Sequence, residues 1–155
     1  MNPLSTHVGR WDGTCAFRMM PTDDFASLPS FATSDVEADG FGWSLRYVWT
    51  HPDDGVQSAI LLVGAPDAEG VVTAAWSDAW HQKPHLGVLT GGVVDGRVHL
   101  AMEYGGWGWT IEAFGDGEDL RMVMNSVIPE GVEGAPAGPY VVMDARWTPA
   151  VAPSV

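Results

Sequence analysis

The sequence has one cysteine, one lysine and no long hydrophobic run, and each shortage narrows the class of protein. Cys15 alone cannot form an internal disulfide, and the opening MNPLSTHVGR lacks the apolar core of a secretory signal, so we expect a cytoplasmic protein. The most apolar stretch, Ala59 to Val63, is far shorter than the ~18 residues typical of a membrane-spanning helix. Because 7 Lys and Arg residues oppose 20 Asp and Glu, the formal net charge is −13. This charge argues against nucleic acid and anionic membranes as partners.

The length and hydrophobic content indicate a single folded domain. The chain has 155 residues, of which 46% are hydrophobic, so it can bury a core without a metal or a disulfide. We therefore expect one domain over residues 1–155, with a core at about 8–148. The segments 1–7 and 149–155 are expected to be flexible tails.

Short clusters of glycine, proline and aspartate separate apolar or alternating runs of strand length, a pattern typical of an antiparallel all-β fold. Ten such runs are present: Trp11–Met19, Ser30–Ala38, Gly42–Thr50, Val56–Val63, Gly70–Asp78, His85–Gly92, Arg97–Tyr104, Trp107–Phe114, Asp119–Val127 and Tyr140–Trp147. Only Thr22–Leu28 has a helical tendency, of one or two turns. An open sheet of ten strands would expose its edges, so we predict an up-and-down β-barrel, with a β-sandwich as the alternative.

Alternation along the strands sorts inward from outward side chains. Every second residue from Trp43 to Trp49 is aromatic or leucine, so this face should point inward. The same rule places Cys15 and Met19 of the first strand and Val141 of the tenth inside. The predicted ligand-contacting residues on the inward faces are Phe17, Met19, Trp43, Tyr47, Trp49, Trp76, Trp80, Met102, Tyr104, Trp107, Trp109, Met122 and Met124. These side chains either fill a core or line a cavity for a flat or greasy molecule.

Asp78 is the one acidic residue that the alternation places inside the barrel, between Trp76 and Trp80. Enclosure by indole rings should raise the pKa of this carboxyl group, which suits a general acid or base. Tyr47 and Tyr104 would then polarise a carbonyl group, and His81 would pass protons to solvent. The alternative is structural: Asp78 accepts an indole or backbone N–H and fixes the rim.

Several segments together resemble the bacterial family catalogued as domain of unknown function 1579, over about residues 8–147. They are Val8-Gly-Arg-Trp11-Asp-Gly13, Arg18-Met-Met-Pro21, Tyr47-Val-Trp49, Ala74-Ala-Trp-Ser-Asp78-Ala-Trp-His81, Gly106-Trp-Gly-Trp109 and Met124-Asn125. The resemblance implies a lipocalin-like, calycin-type β-barrel. The Gly-x-Trp opening is also similar to that of lipocalins and fatty-acid-binding proteins, which implies that Trp11 plugs one barrel end. No agreed reaction or catalytic residue comes with this family.

The sequence lacks a feature that each of three other sites would need: a haem site, a metal site and a nucleophilic catalytic site. Small barrels related to nitrobindin hold haem through a histidine near the C-terminal end, whereas the last histidine here is His99. Asp78, His81 and His85 have the residue types of a zinc site, but a predicted turn separates the two histidines. Cys15 has no evident histidine partner. We therefore predict no cofactor and no metal.

The sequence favours binding of a hydrophobic or aromatic small molecule inside the barrel. The alternative is a cofactor-free isomerase or cyclase that acts on an apolar carbonyl-bearing metabolite, with Asp78 as general acid or base. A third interpretation is a filled barrel that is structural or binds a protein partner, and the sequence leaves a homodimer open.

Overall fold

The computed structural model describes residues 1–151 and shows a closed barrel of ten antiparallel strands. The strands are β1 (Gly9–Phe17), β2 (Ala26–Glu37), β3 (Gly42–His51), β4 (Gly55–Gly64), β5 (Val72–Asp78), β6 (Gly87–Val94), β7 (Arg97–Tyr104), β8 (Trp107–Asp116), β9 (Asp119–Ile128) and β10 (Gly138–Pro149). Each strand pairs with its neighbour in sequence, and β10 pairs with β1 to close the sheet. The predicted up-and-down barrel is confirmed, and the sandwich alternative is wrong.

The inward faces fill most of the barrel with side chains. The alternating set on β3 is buried as predicted, because Trp43, Leu45 and Trp49 have no exposed surface. Fully buried side chains from other strands meet them, including Leu61, Trp76, Leu89, Ile111, Met122, Met124 and Met143. The interior is therefore close-packed over this length.

One end of the barrel is closed by the N-terminal segment, 1–7, for which the sequence predicts a flexible tail. Leu4 is buried, and the side-chain amide of Asn2 donates to the carbonyl oxygens of Val63 and Gly64, each at 3.0 Å. The carbonyl oxygen of His7 accepts the indole N–H of Trp43 at 3.0 Å. The expectation fails here because hydrogen bonds and apolar burial hold this segment against the barrel. Of the second expected tail, Pro149 belongs to β10, and residues 152–155 lie outside the described residues.

Most buried tryptophan N–H groups within the barrel donate to protein acceptors. Trp11 donates to the hydroxyl of Ser34 at 2.8 Å, and Trp147 donates to that of Ser30 at 2.9 Å. Both serines lie on the inward face of β2, among apolar residues. Small hydroxyl side chains thus satisfy the donors that large indole rings bring into the core.

The helical tendency assigned to Thr22–Leu28 is wrong, because Ala26–Leu28 form the start of β2. In this stretch Phe17 pairs with Ala26 and Cys15 pairs with Leu28. Ladder hydrogen bonds to β1 therefore override a weak local preference. A single 3-10 turn, Ala38–Gly40, is the one helical element among residues 1–151, and no helix there is long and apolar enough to span a membrane.

A β-bulge changes the inward set of β10. The register between β10 and β9 shifts between Val141 and Met143, and Val142 and Met143 are both buried. Val141, predicted to point inward, is only half-buried. The extra residue reverses the alternation on one side of the bulge, which is why a strict period of two misplaces Val141.

Candidate functional site

A cavity of about 310 Å³ lies at the end of the barrel opposite the N-terminal segment. Strand ends of β1, β7, β8, β9 and β10 and the segment after β5 surround it. Its lining residues are Phe17, Arg18, Met19, Met20, Trp80, His81, Tyr104, Trp107, Trp109, Ser126, Tyr140 and Val142. A neighbouring space of about 350 Å³ shares Trp80, His81, Tyr104 and Trp109. The open end therefore offers room for a small molecule.

His81 occupies the centre of an aromatic cluster at this end. Its ring centroid lies 5.1 Å from that of Trp109, 5.5 Å from Trp49, 5.6 Å from Trp76 and 6.0 Å from Phe17. Only 9% of the His81 side chain is exposed, although it contributes to the walls of both spaces. The imidazole of His81 is thus largely enclosed by aromatic rings.

Asp78 lies at the end of β5. Its carboxylate stabilises a turn that places the side chain of His81 next to that of Asp78. One carboxylate oxygen, Oδ1, accepts the backbone N–H groups of Trp80 at 2.8 Å and His81 at 3.0 Å. The other, Oδ2, accepts the indole N–H of Trp49 at 3.0 Å. Nδ1 of His81 lies 3.1 Å from Oδ1, at ion-pair distance. This side-chain capping of the turn is the structural role that the sequence analysis considered for Asp78.

The pKa of Asp78 is lowered, not raised as the sequence analysis expected. Burial of the carboxyl group raises this pKa. The imidazole of His81 beside it and the backbone N–H groups of His81 and Trp80 together lower the pKa by a larger amount, so the net shift is downward. Enclosure by tryptophans alone would raise this pKa, but the turn supplies hydrogen-bond donors that the sequence pattern does not reveal. Asp78 is therefore an ionised hydrogen-bond acceptor at neutral pH and a poor proton donor.

Three buried side-chain nitrogen atoms among residues 1–151 lack an aligned hydrogen-bond partner, and all three lie in the aromatic cluster around His81. They are Nδ1 of His81, Nε2 of His51 and Nε1 of Trp109. His51 accepts the backbone N–H groups of Asp53 and Asp54 at Nδ1, so its proton resides on Nε2. Unsatisfied buried groups concentrated at one place are typical of functional sites.

Trp109 differs in this respect from the other buried tryptophans. The indole N–H groups of Trp11, Trp43, Trp49, Trp76 and Trp147 all donate to protein acceptors. Trp80, which is half-buried, donates to Asp54 at 2.7 Å. Trp109 lines the cavity and is 5% exposed, yet its N–H has no acceptor.

Several predicted ligand-contacting residues do lie around the cavity: Phe17, Met19, Trp80, Tyr104, Trp107 and Trp109, together with His81. Met19 and Tyr104 are not inside the barrel, because their side chains are 55% and 44% exposed. β1 ends at Phe17, before Met19, and β7 ends at Tyr104. These two residues therefore form the rim.

Other predicted residues do not reach the cavity. Three of them, Trp43, Met122 and Met124, are fully buried in the packed part of the barrel. Trp49 is also fully buried and is separated from the cavity by His81. Met102 is half-buried against the core and does not line the cavity. Trp76 borders only the neighbouring space.

Tyr47 accepts the indole N–H of Trp76 at 2.9 Å, and burial, with the nearby charge of Asp78, raises the pKa of Tyr47. Its hydroxyl is therefore hydrogen-bonded within the core and does not line the cavity.

Five cavity residues were not found from the sequence: Arg18, Met20, Ser126, Tyr140 and Val142. Ser126 had a signal, since it is the only hydroxyl in the inward row of β9, which otherwise reads Leu120, Met122, Met124 and Ile128. Arg18 and Met20 follow the end of β1, where alternation gives no orientation. Val142 and Tyr140 lie at or before the bulge, which breaks the period.

Among residues 1–151, no group of three or more His, Cys, Asp or Glu side chains is placed to hold a metal ion. Comparison with known proteins finds no protein-family model and no curated protein that matches this chain. The resemblance to domain of unknown function 1579 stays a prediction.

Proposed function

We propose that this protein binds a neutral, apolar or aromatic small molecule in the cavity at the open end of the barrel. The observation that carries the proposal is the cavity itself, whose walls are mainly aromatic rings, methionines and Val142. Ligand sites are typically concave, largely apolar and supplied with a few convergent polar groups. His81, Trp109 and Ser126 provide such groups here.

The volume and the charge limit the ligand. About 310 Å³ is at the small end of the range for ligand pockets, roughly 300–1,000 Å³, and suits one or two fused rings. A net charge of −13 disfavours anionic molecules through the long-range field of the protein. The free N–H of Trp109 calls for an acceptor atom, so we expect the ligand to carry a neutral oxygen such as a carbonyl group.

A titration with a neutral environment-sensitive dye tests this proposal. We expect saturable binding with a blue-shifted dye emission, because the probe leaves water for an aromatic cavity. Trp107→Ala should weaken binding about tenfold, since removing one aromatic wall costs roughly 1–2 kcal/mol of apolar contact.

The matched control is Phe31→Ala, which truncates an aromatic side chain that is 55% exposed outside this cavity. This variant should bind the dye as the parent protein does. Non-saturable binding, or equal losses in the two variants, would contradict the proposed site.

A further inference from the structure

We propose that the cavity also catalyses proton abstraction from an apolar carbonyl compound, with Nε2 of His81 as the base. This inference rests on the proposed function, because the substrate must first bind at the open end. It differs from the role that the sequence suggested, in which Asp78 exchanged the proton and His81 only relayed it.

The orientation of the imidazole supports this assignment. Nδ1 of His81 is buried and lies 3.1 Å from Oδ1 of Asp78. The two ring nitrogens point in diverging directions, so Nε2 is directed away from the carboxylate. His81 also lines the cavity, 9% of its side chain is exposed, and Nδ1, not Nε2, is its buried nitrogen without a partner. The one basic ring atom not facing Asp78 is therefore available to a bound molecule.

Asp78 acts as a positioning residue in this arrangement. Three N–H donors from Trp49, Trp80 and His81 fix its carboxylate, so it cannot easily turn towards a substrate. Its negative charge stabilises the imidazolium that forms when His81 takes a proton. A base oriented by a third group is the usual form of an activated imidazole, and such contacts often tighten only when substrate is bound.

Trp109 supplies the second group that the reaction needs. Its indole N–H is buried without an acceptor, and its ring lies 5.1 Å from that of His81. When a proton leaves the carbon beside a carbonyl group, negative charge develops on the oxygen. A hydrogen-bond donor in apolar surroundings stabilises that charge more strongly than water does.

The proposed step needs no oxidant, metal or second substrate. Nε2 of His81 accepts the proton, and the electron pair of the C–H bond becomes the new C=C bond. The carbonyl π pair moves to the oxygen, which accepts a hydrogen bond from Trp109. For a β,γ-unsaturated carbonyl substrate the product of this step is a dienolate. His81 returns the proton to its γ carbon, the oxygen's electron pair restores the C=O bond, and the double bond now lies between the α and β carbons, so atoms and electrons balance.

The probe for this step is 5-nitrobenzisoxazole, a neutral bicyclic molecule of suitable size. A base removes its ring C–H proton, the N–O bond breaks, and a coloured nitrile-phenolate forms without any other reactant. We expect saturation kinetics and a rate above that of free imidazole at the protein's concentration. His81→Gln should lower kcat/KM by ~100-fold or more. His99→Gln, on the outer face of β7, is the matched control and should retain the parent rate.

Two further variants separate the roles. Trp109→Phe keeps a ring but removes the donor, and it should lower kcat by about tenfold or more. Asp78→Asn should lower kcat with little change in KM, because the substrate still binds while the imidazolium loses its counter-charge. A KM increase alone would show that Asp78 only maintains the cavity and would overturn its positioning role.

The outcomes distinguish this inference from the proposed function. Saturable dye binding without turnover, or a His81→Gln variant as active as the parent, would overturn the inference and leave the binding function standing. Absence of both dye binding and turnover would overturn both. Dye binding by each variant shows that it is folded, so a lost rate reports chemistry.

Discussion

Asp78→Ala should destabilise the barrel strongly, because it removes the acceptor for three N–H groups at once. The indole N–H of Trp49 is fully enclosed, whereas the backbone N–H groups of Trp80 and His81 lie nearer the open end. A buried donor left unpaired costs ~1–3 kcal/mol, and water can recover part of the loss at the two outer groups. We therefore expect the free energy of unfolding to fall by about 3 kcal/mol.

Urea denaturation followed by tryptophan fluorescence measures this change, and thermal unfolding should show a Tm lower by roughly 6–12 °C for a domain of this size. Asp144→Ala is the control, because Asp144 pairs with Arg121 and Arg146 on the outer surface. Its effect should stay within ~1 kcal/mol. If Asp78→Ala were no more destabilising than Asp144→Ala, the turn at the end of β5 would not depend on this carboxylate.

Two further predictions concern titratable groups. Because the pKa of Asp78 in the folded chain lies below its ordinary value of 3.8, its stabilising contribution is complete above that value and is lost as the pH falls through the folded pKa. The difference in unfolding free energy between the parent and Asp78→Asn should therefore shrink between pH 7 and pH 3, and a constant difference would contradict this origin. Burial, with the charges of Asp144 and Asp78, raises the pKa of the Cys15 thiol to about 12. A thiol reagent should therefore modify Cys15 at neutral pH only after denaturant is added, and rapid labelling of the native protein would contradict its burial.

The barrel follows from the sequence because each strand carries an alternating pattern bounded by turn residues. The inward face of β3 and the inward position of Asp78 both come from that period of two. The burial of Leu4 could not be predicted in this way, since the N-terminal segment has no period and is ordered by contacts with distant strands. Alternation also cannot locate the bulge at Val142.

The candidate site was only partly predictable, because its chemistry depends on how the turn after β5 folds. The sequence shows that Asp78 and His81 are three residues apart. It does not show that the turn places Nδ1 of His81 within 3.1 Å of Oδ1 of Asp78. The sign of the pKa shift depends on that contact and on the backbone donors. Whether the barrel interior is filled or open depends on three-dimensional packing. Trp43 and Trp107 are therefore equivalent in the sequence pattern, although Trp43 lies in the core and Trp107 lines the cavity.

A small molecule should bind at the open end of the barrel and nowhere else in its interior. The eight tryptophans provide the most direct test, since each indole N–H gives one signal in a ¹⁵N-resolved NMR spectrum. During titration with a neutral aromatic ketone, we expect the signals of Trp107 and Trp109 to shift in a saturable way, while those of Trp43 and Trp147 stay in place. Shifts centred on Trp43 and Trp147, or no saturable shift of any indole signal, would contradict ligand binding at the open end.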